Sequence, residues 1–264
     1  MFKRLSICCI FIIILWGCSG TRAVELGISP PDVHLNLNPG QTYQGEVKVF
    51  GSDREPVAVN IYPMDWSLSA AGDYQFLPAG ILKRSIVPWL TLDLQNFSLP
   101  PGTGQKVRYR LRVPDNASGS YWGVIMCGAV PKPAAGKDRM QIAMTGRMAY
   151  LIRVDVDSPA PSCVIEGYQL RWDAARHKLK VNLRLKNNGA SFVYFRGYLE
   201  LKDLQGQKVG MIPMQNGLIL PDSSRAVQWG DGNLALEPGT YIGLAVVDAG
   251  TRSLQAVQGT VEVQ

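Results

Sequence analysis

The chain has 264 residues, 46% of them hydrophobic and 18% charged, with a formal net charge of +6. Residues 1–23 contain Lys3, Arg4 and Arg22 and no acid, so the chain beyond them has a balance of only +3, which argues against a dedicated nucleic-acid binder. About 240 residues remain after that segment, enough for one large domain or two of ordinary size.

The N-terminus has the layout of a secretory signal peptide. Lys3 and Arg4 precede the apolar run LSICCIFIIILW, which is short for a bilayer span, and small or polar residues follow. Thr21-Arg22-Ala23 offers a small-x-small cleavage site that would leave Val24 first. LWGC at 15–18 offers the alternative, a lipobox in which Cys18 is lipidated; Trp16 is foreign to such a box, which favours cleavage after Ala23. Either route takes the protein out of the cytoplasm.

Beyond it the chain is a series of short β-like runs broken by Gly, Pro, Asn and Asp, with no amphipathic helix of ten residues or more. DVHLNLN alternates and stops at Pro39-Gly40. YQGEVKVF, VAVNIYPMDW, DYQFL and PWLTLDL follow. QKVRYRLRVP sets Val107, Tyr109, Leu111 and Val113 against Arg108, Arg110 and Arg112, the two faces of a strand. The arginine row reads as a solvated face whose like charges deter edge association, the alternative being a surface that attracts an acidic partner. SGSYWGVIMCGAV is entered through glycine. RMQIAMTGRMAYLIRV (139–154) then alternates over sixteen residues, about three times the usual strand length. Met140, Ile142, Met144, Met148, Tyr150, Ile152 and Val154 share one parity.

DSPAPS (157–162) breaks the pattern as a linker, and seven more runs fill 163–264, with turn chemistry at Asn187-Asn188-Gly189 and Asp248-Ala249-Gly250. Short strands at regular spacing predict an all-β chain of two Ig-like sandwiches, 24–156 and 163–264. Cys127 and Cys163, on different predicted strands far apart in space, are expected to be free, buried thiols.

Catalytic signatures are missing. His34 and His177 have no carboxylate or cysteine at ligand spacing, Asp65, Asp73 and Asp93 are scattered, and no P-loop, H-E-x-x-H or G-x-S-x-G occurs. The expectation is a non-enzyme with no catalytic residues, no metal site, no cofactor, no nucleic acid and no small-molecule substrate. Asn96 and Asn116 match a short glycosylation sequon; Pro114-Asp115-Asn116 is better read as a turn.

ISPPDVHLNLNPGQ, PWLTLDLQNFSLPPGTGQKVRYRLRVP and SGSYWGVIMCGAVP, in that order and spacing, resemble the first domain of periplasmic pilus-assembly chaperones, the PapD-like family, over about 24–156. The resemblance implies two Ig-like domains set as a boomerang. It also implies a periplasmic chaperone that lends a strand to pilin-like or other β-rich subunits, with an outer-membrane usher as a further partner. The lent strand would present Met140, Ile142, Met144 and Met148, although Met148 shares its parity with Tyr150 and Ile152, residues expected in the domain's own core. The family holds a subunit carboxylate with two basic residues. Here the first position holds Asp32 and the second Ala149, which leaves Arg147 as the candidate anchor. The alternative is an envelope-associated Ig-like structural or adhesion module without chaperone activity, which a lipid on Cys18 would favour.

Overall fold

In the computed structural model the described residues are 26–130, 146–230 and 234–264. They contain seventeen strands and one short 3-10 turn. The first sandwich holds β1 (Gly27–Ser29), β2 (Asp32–Leu37), β3 (Thr42–Phe50), β4 (Val57–Leu68), β5 (Tyr74–Leu77), β6 (Leu90–Leu92), β7 (Asn96–Leu99), β8 (Gly104–Arg112), β9 (Gly119–Ala129) and β10 (Arg147–Val156). One sheet has the order β1-β3-β8-β6. The other has the order β2-β10-β9-β4-β5, with β7 also on β4. The second sandwich holds β11 (Cys163–Asp173), β12 (Lys178–Asn187), β13 (Val193–Lys202), β14 (Lys208–Ile219), β15 (Ser224–Trp229), β16 (Gly239–Asp248) and β17 (Gln255–Val263). It pairs a sheet β11-β12-β15 with a sheet β14-β13-β16-β17. The chain is therefore two all-β sandwiches.

Alternation builds each core. On β8, Val107, Tyr109 and Leu111 are buried while Arg108, Arg110 and Arg112 are exposed. They meet Val47 and Val49 of β3 and Ile125, Cys127, Tyr150, Ile152 and Val154 from the opposite sheet. On β12, Leu179, Val181, Leu183 and Leu185 do the same for the second sandwich. Cys127 and Cys163 are free and buried, one in each core.

Three local expectations need correction. PWLTLDL is not one strand: Val87–Trp89 forms the 3-10 turn, with Pro88 in its first turn, and only Leu90–Leu92 is extended. β1 and β7, of three and four residues, are too short to show a period and were not expected as strands. The long strand runs on to Val156 rather than ending at Val154; it is seen from Arg147, and its expected first part, 139–145, lies outside the described residues.

The first strand region changes sheets at Pro30-Pro31. β1 pairs with β3, and β2 crosses over to pair in parallel with β10. That crossing decides which edges of the sandwich stay open.

Candidate partner-binding edge and domain junction

β10 has two unlike faces. Tyr150, Ile152, Val154 and Val156 are buried in the first core. Arg147, Ala149, Leu151, Arg153 and Asp155 lie on the outer face. Met148, the second residue of β10, has the core parity but is 36% exposed.

Its two edges are equally unlike. β9 pairs with β10 along the whole length, from Arg147↔Gly128 to Val156↔Gly119. β2 joins the other edge only at Leu151↔Asp32, and the Leu151 N–H donates to the Pro31 carbonyl at 3.0 Å. Main-chain groups of a strand point alternately to its two edges. Leu151 points towards β2, so Ala149 and Arg147 point to the same side, where no strand of the described residues lies. The upstream residues Met140, Ile142 and Met144 fall outside the described residues, as does Cys18.

Behind this edge the Tyr109 and Tyr150 hydroxyls are hydrogen-bonded at 2.9 Å. A cavity of about 720 Å³ opens nearby, lined by Pro30, Val33, Tyr43, Tyr109 and Tyr150 among others.

The outer face of β10 ends in a polar junction with the second sandwich. Asp32 and Arg153 form an ion pair, and Arg153 Nη1 donates to the Tyr194 hydroxyl at 3.0 Å. His34 Nε2 lies 2.7 Å from Asp155 Oδ2, and the Ser120 hydroxyl donates to Asp155 Oδ1. Ser120 also accepts the Phe192 N–H at 2.8 Å, and its own N–H donates to the Ala190 carbonyl at 2.7 Å. Burial pushes the Asp155 carboxyl up, but the bonds from His34 and Ser120 outweigh it and leave the group below the usual carboxylate range. Gly119 permits the approach: its φ is 93°, and a Cβ there would lie 2.6 Å from the Ala190 carbonyl.

Beside the polar row lies an apolar one. Trp66, Trp122, Val124 and Met126 of the first sandwich pack with Phe192 and Leu220 of the second, and Ala149 and Leu151 border the cluster. The β4–β5 hairpin adds a further tie: the Ala226 N–H on β15 donates to the Ala70 carbonyl at 2.8 Å. Gly72, with φ 95°, leaves room for the Arg225 guanidinium.

The residues singled out from the sequence therefore separate. Arg147 stands exposed at the start of β10, six residues and about 20 Å along the strand from Arg153. Ala149 is half-buried beside the apolar cluster, and Asp32 is at the junction. His34 has no carboxylate at local ligand spacing; its partner Asp155 is 121 residues away and no local spacing announces it. Asp65, Asp73 and Asp93 do not converge. Asp65 is fully buried and accepts the Leu82 N–H at 2.9 Å and the Ser85 hydroxyl at 2.5 Å, Asp73 closes a turn with Ser69, and Asp93 accepts the Arg108 N–H. Among the described residues no group of three His, Cys, Asp or Glu could hold a metal ion.

No family model matches the chain, and no curated protein sequence matches it. Solved structures do. The class 5 fimbriae chaperone CfaA aligns over 91% of this chain and 100% of its own at 14% identity, TM-score 0.46. The Pseudomonas aeruginosa CupB2 chaperone aligns over 89% and 99% at 13% identity, TM-score 0.42. The E. coli chaperone DraB aligns over 92% and 100% at 16% identity, TM-score 0.41. The structural likeness is to fimbrial chaperones.

Proposed function

We propose that this chain is a periplasmic assembly chaperone that binds β-rich, pilin-like subunits by lending them the leading part of β10 and the alternating residues before it. The observation that carries the reading is the open edge of β10. Ala149 and Arg147 direct main-chain donors and acceptors to a side with no strand among the described residues. Sequence continuing upstream with Met140, Ile142 and Met144 on one parity would supply apolar side chains to an incomplete partner sandwich. Strand addition uses these two parts: main-chain bonds for general affinity and alternate side chains for fit. Methionine suits the second part because its unbranched thioether adapts to irregular pockets. Arg147, exposed beside the open edge, would contribute a charge-assisted contact to the bound subunit. Secretion by the leader, with cleavage after Ala23, would deliver the protein to the periplasm, and an outer-membrane usher would receive the loaded subunit.

The test is co-expression in the periplasm with a pilin-like subunit encoded beside this gene. The wild-type chain should hold that subunit in a soluble 1:1 complex. Ile142→Asp should lose the complex with its melting temperature unchanged. Equal capture by Ile142→Asp and wild type would remove the lent strand and leave an Ig-like structural module as the better account.

A further inference from the structure

We infer that Asp32 is a specificity residue of the open edge, selecting an added strand whose end at Pro31 carries no negative charge. This rests on the strand-addition reading above. A strand that pairs with Arg147 and Ala149 lies in line with β2, because both occupy the same edge of β10. It can advance only as far as Leu151, whose N–H is already taken by the Pro31 carbonyl. The first side chain past that stop is Asp32, on the outer face with Leu151.

The charge presented there is the carboxylate. Asp32 is paired with Arg153, but the Asp32 side chain is 41% exposed and that of Arg153 only 20%. Arg153 is also turned to the Tyr194 hydroxyl of the second sandwich. The next residues on this face are His34 and Asp155, so two carboxylates stand here against one guanidinium and an imidazole. An incoming carboxylate would meet like charge in a partly desolvated corner. A neutral amide, an amine or a lysine would meet an acceptor.

The direction of the added strand is immaterial. A parallel strand brings its C-terminal end to Asp32, and an antiparallel one brings its N-terminal end. The experiment uses the full mature chain and synthetic ten-residue peptides of alternating valine and threonine with a solubilising lysine at the end remote from Pro31. These are prepared with a free or amidated C-terminus and a free or acetylated N-terminus. Affinities are read by fluorescence anisotropy at low salt. The amidated peptide should bind about tenfold more tightly than its carboxylate form if addition is parallel, and the free amine more tightly than the acetylated form if it is antiparallel. Asp32→Asn should bring the pair within about twofold, and Asp32→Glu should preserve the difference, which separates charge from fold damage. Equal affinities in the wild type, or tighter binding of the carboxylate, would overturn the role of Asp32. Binding by none of the peptides would overturn strand addition itself, and this proposal with it.

Discussion

Trp122 donates its indole N–H to the Trp66 carbonyl at 2.6 Å, and Trp66 donates its own to the Gly123 carbonyl at 3.0 Å. The two rings lie on the outer face of the first sandwich, and Phe192 of the second packs against Trp122 at a tilt, with centroids 5.7 Å apart. The pair thus joins β4 to β9 and supplies the surface on which the second sandwich rests.

Removing one ring should therefore cost more than a surface substitution. Trp122→Ala should destabilise the protein by about 3–5 kcal/mol through the lost burial and the cavity left behind. Trp122→Phe should cost about 1–3 kcal/mol, largely from the unpaired Trp66 carbonyl. Urea unfolding midpoints measure both. A cost for Trp122→Ala within ±0.5 kcal/mol, the ordinary range of a surface change, would show that the indole pair is dispensable.

Met148 and Tyr150 are two residues apart on one parity and should respond oppositely. Tyr150 is 2% exposed and hydrogen-bonded to Tyr109, while Met148 is 36% exposed. Tyr150→Asp should unfold the first sandwich, since a buried unpaired charge costs several kcal/mol against a total of ~5–15. Met148→Asp should leave the melting temperature nearly unchanged. Calorimetry of the two variants decides, and equal losses would place Met148 in the core.

Alkali should destabilise the fold. Burial pushes the Cys127 thiol from 9.0 up to about 12 and the Tyr168 hydroxyl from 10.0 up to about 12. Above pH 9 the unfolded chain releases these protons and the folded chain keeps them. Stability should therefore be complete below pH 9 and decline as pH rises towards 12. Cys127→Ala should flatten the first part of that decline in urea midpoints measured from pH 8 to 11. In the native protein Cys127 and Cys163 should also resist alkylation by iodoacetamide until denaturant is added.

The junction carries the opposite pH sensitivity. The folded Asp155 carboxyl sits below the usual range, so it contributes stability above its unfolded value of 3.8 that is lost as pH falls through its folded value. Asp155→Asn should remove this acid-side dependence and weaken the hold on Ser120, which in turn holds the Phe192 N–H. Hydrogen exchange at Phe192 and Tyr194 should rise in Asp155→Asn and in Arg153→Ala while the β12 core amides stay protected. Unchanged exchange at Phe192 in both variants would show that the polar row does not hold the sandwiches together.

The sequence by itself determined the strands whose side chains alternate strictly. β8, with its arginines facing away from Val107, Tyr109 and Leu111, and β12, with its lysines facing away from Leu179, Val181 and Leu183, were legible because a period of two is a local property of an extended chain. The two-sandwich class, and the core role of Tyr150 and Ile152, followed from the same signal. Only the tertiary structure decided where β10 is covered and where it is open. That depends on β2 crossing at Pro30-Pro31 and pairing Asp32 with Leu151, a register in which Val33, Leu35 and Leu37 enter the core opposite Ile152, Val154 and Val156, residues far away in the sequence. Asp32–Arg153 and His34–Asp155 were hidden for that reason. Each joins residues 121 positions apart, and charge pairing at that separation is decided by which strands become neighbours.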